Sequence, residues 1–203
     1  MRCLMCGEWI GAASFADLFR NPDVLCPECR GSWKRISRRF RFEGRKAYAL
    51  YAYNDAFSSC LIQFKELGDE ALKDVFLYPD KARLRRMYHG RTLVLLPSSE
   101  SKQRERGFSH LEELFAGVGL PMLEPFVKTD AGDQKRRTRE ERRRMRAGIA
   151  LKPGIVLPKK LVLADDVITT GSTMRGALAA LPASADVEVF ACALTLRHGV
   201  KDS

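Results

Sequence analysis

The stretch that decides the fold lies at residues 161–173 and reads LVLADDVITTGST. Its first four residues form an apolar run with the length and composition of a buried parallel strand. Asp165 and Asp166 follow at the carboxyl end of this expected strand, where open α/β sheets bind their ligands. A helical pattern then runs from Met174 to Leu181. The order of strand, acidic pair, small polar turn and helix predicts an α/β fold with a binding site at the turn.

The turn between the acidic pair and the helix is rich in hydroxyl groups and suits an anion. Gly171 can adopt a positive φ and lets a phosphate approach the backbone, while Ser172 or Thr173 can cap the helix or donate a hydroxyl. Backbone N–H groups and the helix N-terminus would face that phosphate. The predicted phosphate-binding residues of this turn are Val167, Ile168, Thr169, Thr170, Gly171, Ser172 and Thr173.

The two carboxylates need an explanation, because they repel the phosphate beside them. A sugar phosphate provides one, since Asp165 and Asp166 would accept hydrogen bonds from ribose hydroxyls while the turn holds the 5′-phosphate. For any short part of the string, a strand followed by an Asx-type turn and a helix cap is the alternative. The whole string resembles the phosphoribosyl pyrophosphate (PRPP) motif of type I phosphoribosyltransferases, which makes both acids candidate catalytic residues. A Walker A loop and a GxGxxG dinucleotide turn are both absent from the sequence.

The overall composition limits the class of protein and the kind of partner. With 203 residues, 45% of them hydrophobic, the chain fits one medium α/β domain plus a small appendage. Its formal charge of +10 favours polyanionic partners such as nucleotides, nucleic acid or anionic lipid. The polar N-terminus argues against a signal peptide, and no apolar run approaches the roughly 18 residues of a membrane span. We therefore expect a cytoplasmic protein without membrane insertion.

Four of the six cysteines predict a small zinc ribbon at the N-terminus. Cys3 and Cys6 form one C-x2-C pair, and Cys26 and Cys29 form a second pair after a gap of nineteen residues. Two such pairs supply the four thiolates of a closed, structural zinc site. Four buried or free thiols, or a redox pair, are the alternatives. We expect residues 1–40 to contain the ribbon and a basic connector, and residues 41–203 to form the α/β domain.

Two strongly basic segments lie outside the acidic string. Residues 34–46 contain seven basic residues and one acidic residue, and residues 135–146 contain eight and two. Arginines interleaved with aromatic residues are typical of single-stranded nucleic-acid binding, although a solvated basic surface is an equally simple interpretation. The candidate nucleic-acid contacts are Arg38, Arg39, Phe40, Arg41, Phe42, Arg136, Arg137, Arg142 and Arg143.

A second apolar strand is expected at residues 93–96, with a loop that suits an anion after it. Small and basic residues follow, which could bind pyrophosphate and then fold over a polyanionic substrate. The candidate residues here are Pro97, Ser98, Ser99, Arg104 and Arg106. Because His89, His110 and His198 form no cluster in the sequence, we assign none of them a metal-binding or catalytic role.

The order of motifs along the chain resembles the ComF family of phosphoribosyltransferase-like proteins. The shared features are the four-cysteine ribbon, the basic connector, the Phe64-Lys65-x-x-Gly68-Asp69 and Arg104-x-Arg106-Gly107-Phe108 segments, and the closing PRPP string. The resemblance implies a type I phosphoribosyltransferase-like parallel sheet flanked by helices, behind a small four-cysteine zinc ribbon. It also implies a cytoplasmic protein needed for DNA uptake in natural transformation, acting beside a competence DNA helicase.

Three functions are compatible with these features. The first is a PRPP-binding protein that acts in DNA uptake and contacts single-stranded DNA. The second is an active, Mg²⁺-dependent phosphoribosyltransferase of nucleotide metabolism, which releases pyrophosphate from PRPP in transfer to an unknown acceptor. The third, weaker because no helix-turn-helix pattern is evident, is a PRPP-binding regulator similar to purine repressors. The cofactors implied are structural zinc and Mg²⁺ bound together with PRPP.

Overall fold

The computed structural model describes residues 1–10, 23–97, 107–128 and 148–196. The strands are β1 (Arg35–Phe42), β2 (Arg45–Ala52), β3 (Thr92–Leu95), β4 (Met122–Leu123), β5 (Phe126–Lys128), β6 (Ile149–Leu151), β7 (Lys160–Ile168) and β8 (Asp186–Leu194). They form a six-stranded sheet with strand order β1-β2-β8-β7-β3-β4 and a two-stranded sheet of β5 and β6. The α-helices are α1 (Pro27–Ser32), α2 (Asp55–Lys65), α3 (Lys81–Met87), α4 (His110–Ala116) and α5 (Ser172–Ala180).

The main sheet is parallel apart from one edge. β2, β8, β7, β3 and β4 all pair in parallel, and β1 pairs antiparallel with β2. β7 and β8 lie in the middle of the sheet and are buried along most of their length. Strands covered on both faces are expected to be continuous apolar runs, as these are. The predicted α/β fold with a mostly parallel sheet and flanking helices is therefore confirmed.

Strand β7 is longer than the sequence analysis predicted. The apolar run was expected to end the strand at Ala164, but β7 continues to Ile168 and includes both acidic residues. Pairing with β8 persists to the last residue, whereas the pairing with β3 stops at Leu95 and Ala164. Residues 165–168 thus project beyond the end of β3, and among the described strands they pair with β8 alone. This overhang places the acidic pair at the carboxyl end of the parallel sheet.

The first basic segment forms an edge strand of the main sheet. Residues 35–42, expected in part as a connector, form β1, which continues into β2 through a tight turn at Glu43 and Gly44. From Arg38 to Phe42, exposed residues alternate with half-buried ones, as in a strand with one solvated face. β1 crosses the proposed domain boundary between residues 40 and 41. The six-stranded sheet therefore includes residues from both sides of it.

The segment around Pro125 forms two short strands in different sheets. Met122–Leu123 is β4, and Phe126–Lys128 is β5. Pro125 lies between them and has no backbone N–H to donate to a continuous strand.

Among the described residues, no helix is both long enough and apolar enough to cross a membrane.

Candidate functional site

The four N-terminal cysteines converge on one point. The sulfur atoms of Cys3, Cys6, Cys26 and Cys29 all lie within 4.8 Å of one another, and the Cys6 and Cys26 Sγ atoms are 3.8 Å apart. With a Zn–S bond of about 2.3 Å, tetrahedral geometry requires sulfurs about 3.8 Å apart. The cluster could therefore hold a metal ion, and both its size and its thiol ligands are consistent with zinc.

Backbone N–H groups donate to two sulfur atoms of this cluster. The Cys26 N–H donates to Cys3 Sγ at 3.2 Å, and the Cys29 N–H donates to Cys26 Sγ at 3.4 Å. Burial by itself raises the pKa of Cys3, but the N–H donors outweigh it and lower the pKa to about 6. Gly7, at a φ of +75°, makes the tight turn after the first pair. The Cys29 thiol has the opposite shift, because burial and the neighbouring cysteine side chains raise its pKa.

The cysteine cluster is attached to the main domain. Cys3 and Cys26 belong to the same buried cluster as the sheet residues. Trp33, just after α1, is buried and stacks on Phe76 with ring centroids 5.4 Å apart. The Arg30 guanidinium donates to the Val75 carbonyl at 2.8 Å. An ion bound by the cysteines would therefore also stabilise the contact between the N-terminal segment and the main domain.

Asp166 is held by two basic side chains that sequence analysis did not assign. Its Oδ2 accepts from Lys65 Nζ at 2.6 Å and lies 3.1 Å from His110 Nε2, while its Oδ1 accepts from the Val167 N–H at 2.7 Å. Burial favours the neutral carboxyl, but His110 and Lys65 outweigh it and hold the pKa of Asp166 well below its usual range. The sequence analysis gave His110 no metal-binding or catalytic role, and the structure adds that it belongs to a buried polar cluster with Asp166 and Lys65.

Asp165 has a different environment from its neighbour. Its side chain is half-buried, and its Oδ1 accepts from the Asp166 N–H at 2.9 Å. Burial, reinforced by the negative charge of Asp166, raises its pKa well above the usual value. A perturbed pair of this kind, with one carboxyl raised and one lowered, is typical of functional sites.

The turn after β7 combines a left-handed glycine with the start of a helix. Gly171 has a φ of +72° and is the N-cap of α5, so the expectation that Ser172 or Thr173 caps the helix was wrong. The Ser172 N–H lies 3.3 Å from Thr170 Oγ1. Thr169, Thr170, Ser172 and Thr173 are all exposed beside the acidic pair. Their hydroxyls and the N-terminus of α5 could all contact one phosphate.

An aromatic side chain from the β1–β2 hairpin packs on this loop. A Cβ added at Gly171 would lie 2.7 Å from two carbons of the Phe42 ring. Arg175 connects the loop to the hairpin. Its guanidinium donates to the Thr170 carbonyl in the loop at 2.7 Å. It also lies 5.8 Å from the Phe42 ring centre and 3.6 Å from the Glu43 carboxylate, both in the hairpin. Glycine at 171 is therefore required by the ring as well as by the backbone conformation.

The candidate loop after β3 is only partly described. Pro97 follows β3, whose end pairs with β7 next to Asp165, so it lies at the same edge of the sheet as the acidic pair. Ser98, Ser99, Arg104 and Arg106 lie outside the described residues. The second basic segment does too, including Arg136, Arg137, Arg142 and Arg143.

The first basic segment presents its arginines and its aromatic rings differently. Arg39 and Arg41 are exposed, whereas Phe40 and Phe42 are half-buried and pack against the core. Arg38 is also half-buried and lies on the same face of β1 as these two rings. A groove of about 610 Å³ lies here, lined by Arg39, Phe40, Arg41, Lys46, Ala47, Tyr48, Met87, Tyr88 and Glu188. Positive charge and aromatic surface therefore meet in the groove, but the two phenylalanine rings are not freely exposed.

Sequence reasoning missed Lys65 and His110 because nothing in their spacing links them to β7. Lys65 is the last residue of α2 and His110 is the first of α4, 101 and 56 residues from Asp166. Lys65 did lie in one of the segments that carry the family resemblance. The other available signal was a histidine directly before an apolar helical face, a position that the structure shows to be buried.

Comparisons with known proteins were made by sequence and by structure. No protein-family model matches the chain. The chain is 28% identical over 200 residues to the competence protein ComFC of Streptococcus pneumoniae, and the match covers 86% of this chain and 90% of that protein. It is 27% identical over 154 residues to the competence protein ComFC of Bacillus subtilis, covering 75% and 63%. Among solved structures it is similar to a hypoxanthine phosphoribosyltransferase from Staphylococcus aureus, with a TM-score of 0.34 and 12% identity over 66% of this chain and 62% of that chain.

Proposed function

We propose that this chain acts in DNA uptake. Its predicted resemblance to the ComF family is confirmed by two relatives named competence protein ComFC. In this role it binds PRPP or a related ribose 5-phosphate compound and contacts single-stranded DNA. A competence DNA helicase is the expected protein partner. The sugar-phosphate site and the DNA surface are supported by separate observations and are tested separately.

The observation that carries the sugar-phosphate site is the overhang of β7. Its acidic pair lies beyond the end of β3, and it is followed by a left-handed glycine and the N-terminus of α5. Carboxylates can accept hydrogen bonds from ribose hydroxyls, while N–H groups and threonine hydroxyls hold the 5′-phosphate. The carboxylates thus suit the ribose end of a sugar phosphate, and the N–H groups and threonine hydroxyls suit its phosphate end.

The same edge of the sheet suits the metal ion that PRPP carries. Mg²⁺ prefers oxygen ligands and keeps several waters, so it would bind together with PRPP through few protein groups rather than sit in a protein cage. The half-buried carboxylate of Asp165 and the exposed hydroxyls of the turn are oxygen donors of the required kind. When bound, the ion would neutralise charge on the pyrophosphate.

Calorimetry with PRPP and Mg²⁺ tests this site directly. We expect binding to the wild type and a loss of about 10- to 100-fold in Asp165→Asn, because a hydrogen bond to a charged group is removed. Lys73→Met is a matched control, since it removes a lysine from an exposed ion pair with Glu113. Equal affinity in the wild type and Asp165→Asn would contradict the assignment.

Transferase chemistry is the second candidate function, and the perturbed acidic pair favours it. Departure of pyrophosphate leaves positive charge on the sugar, and carboxylates beside the ring would stabilise that charge. The carbon–oxygen bond to pyrophosphate breaks as a bond to the acceptor forms. Release of pyrophosphate from PRPP in the presence of a panel of nucleobases would establish this activity, and binding without release would leave the non-enzymatic function.

The DNA surface is supported by the exposed edge of β1. Arg39 and Arg41 are exposed beside a groove that also contains Lys46, Tyr48 and Tyr88. Arginines attract the phosphate backbone, whereas Tyr48 and Tyr88 are only 3% and 2% exposed and offer little ring surface for stacking with bases. Half-burial of Phe40 and Phe42 makes the arginines the main expected contribution. Binding should therefore be largely electrostatic and independent of base sequence.

A salt titration of single-stranded DNA affinity separates this surface from a merely solvated one. We expect log affinity to fall linearly with log salt, by about 0.7 for each phosphate contact. Arg39→Ala with Arg41→Ala should reduce the slope by about 1.4. Replacement of both arginines by lysine keeps the charge and should keep the slope. An unchanged slope in the alanine variant would remove β1 from the DNA surface.

A further inference from the structure

Asp166 already has hydrogen-bond donors on both of its oxygens. Lys65 Nζ and His110 Nε2 lie against Oδ2, and the Val167 N–H donates to Oδ1. A carboxylate accepts about four hydrogen bonds in total, and Asp166 is only 5% exposed. A sugar hydroxyl would have to enter a buried position or displace a charged lysine to reach it.

Asp165 has the opposite arrangement. It is half-buried and lies in the part of β7 that projects beyond β3. Within the described part of the chain, its hydrogen-bond donor is the Asp166 N–H, at Oδ1. Asp165 is therefore the more exposed of the two acids.

The three side chains of the buried cluster come from three separate elements. Lys65 ends α2, His110 begins α4, and Asp166 lies near the end of β7. An ion pair at 2.6 Å between groups that are mostly buried fixes its carboxylate far more firmly than an exposed pair does. Because Asp165 and Asp166 are adjacent, fixing one backbone position also fixes the direction of its neighbour.

We propose that the acidic pair has divided roles, with Asp165 binding the sugar hydroxyls and Asp166, clamped by Lys65 and His110, positioning Asp165 and the turn. Lys65 and His110 are then positioning residues of the sugar-phosphate site. This inference rests on the proposed function, since it concerns how the same site recognises ribose. It differs from the expectation that both acids contact the sugar.

A comparison of two ligands distinguishes a binding role from a positioning role. Ribose 5-phosphate and 2-deoxyribose 5-phosphate differ in one hydroxyl, so the ratio of their affinities measures recognition of that hydroxyl. We expect the wild type to prefer the ribose compound by about 10-fold or more. Asp165→Asn should reduce this ratio to near one. A purely structural defect would lower both affinities and leave the ratio unchanged.

Substitutions of the positioning residues should lower both affinities and leave their ratio unchanged. Asp166→Asn and Lys65→Met are expected to weaken both ligands by a similar factor and to lower the midpoint of urea unfolding. His110→Gln retains a donor for Asp166 and should restore what His110→Leu loses. Lys73→Met, at the exposed ion pair with Glu113, should change neither affinity.

Two results would overturn the inference in distinguishable ways. If Asp166→Asn, shown by circular dichroism to be folded, loses the preference for ribose while Asp165→Asn keeps it, the roles are reversed or shared. If the wild type binds neither ligand nor PRPP, the proposed sugar-phosphate site falls, and the division of roles falls with it. A preference that follows Asp165 alone, with the Lys65 and His110 variants weakened equally for both ligands, supports it.

Discussion

The contact between Phe42 and Gly171 leads to a quantitative prediction about stability. The substitution Gly171→Ala has two costs, because the backbone there has a φ of +72° and the new Cβ would lie 2.7 Å from the Phe42 ring. A left-handed conformation costs an alanine about 1–2 kcal/mol, and forcing a methyl group into a filled space costs about 1–3 kcal/mol. We expect the free energy of unfolding to fall by about 2–5 kcal/mol.

The chain contains a matched control for the backbone part of this cost. Gly154 has the same φ of +72°, but nothing lies within 4 Å of the position that a Cβ would take. Gly154→Ala should therefore cost only about 1–2 kcal/mol. The difference between the two glycine variants isolates the steric contribution of Phe42.

Urea unfolding of four proteins completes the test: the wild type, Gly171→Ala, Phe42→Ala and the double variant. Removing the ring makes space for the methyl group, so Gly171→Ala should cost about 1–3 kcal/mol less in the Phe42→Ala background. If Gly171→Ala costs no more than Gly154→Ala, or costs the same in both backgrounds, the ring does not pack on the loop as described.

Two further predictions concern the cysteine cluster and the acidic pair. Metal analysis should find one zinc per chain, and a chelator should shift the fluorescence of buried Trp33 to longer wavelength as the N-terminal segment separates; four freely titratable thiols without metal would contradict this. The raised pKa of Asp165 means that the folded state binds its proton more tightly than the unfolded state, so its effect on stability becomes unfavourable as pH rises above the usual value of 3.8. Asp165→Asn should therefore raise the urea midpoint at pH 7, with the gain disappearing below about pH 4. Asp166 has a lowered pKa, so it contributes stability above that value which is lost as the pH falls, and Asp166→Asn should lower the midpoint at pH 7. A lower midpoint for Asp165→Asn at pH 7 would refute this assignment of the pair.

Several features could be predicted from the sequence because their causes are local. The apolar run before Asp165 predicts a central strand, since a strand buried on both faces must be apolar at every position. The two C-x2-C pairs predict a common sulfur cluster, because each knuckle directs two thiols to one point. Gly171 predicts a left-handed turn, because glycine alone adopts that conformation without cost. All three are present in the structure.

Other features were decided by tertiary contacts. The basic segment at residues 35–42 is a strand rather than a linker because it pairs with β2. Its own composition does not predict that pairing. The length of β7 depends on how far β8 continues beside it. Lys65 and His110 reach Asp166 from two separate helices, and Phe42 reaches Gly171 across 129 positions in the sequence. The sequence alone determined which residues could bind a sugar phosphate and a metal ion. Only the packing of distant elements decided that Asp166 is buried against Lys65 and His110 while Asp165 stays half-buried. The reason is that burial and hydrogen bonding at this point come from parts of the chain that no local pattern connects.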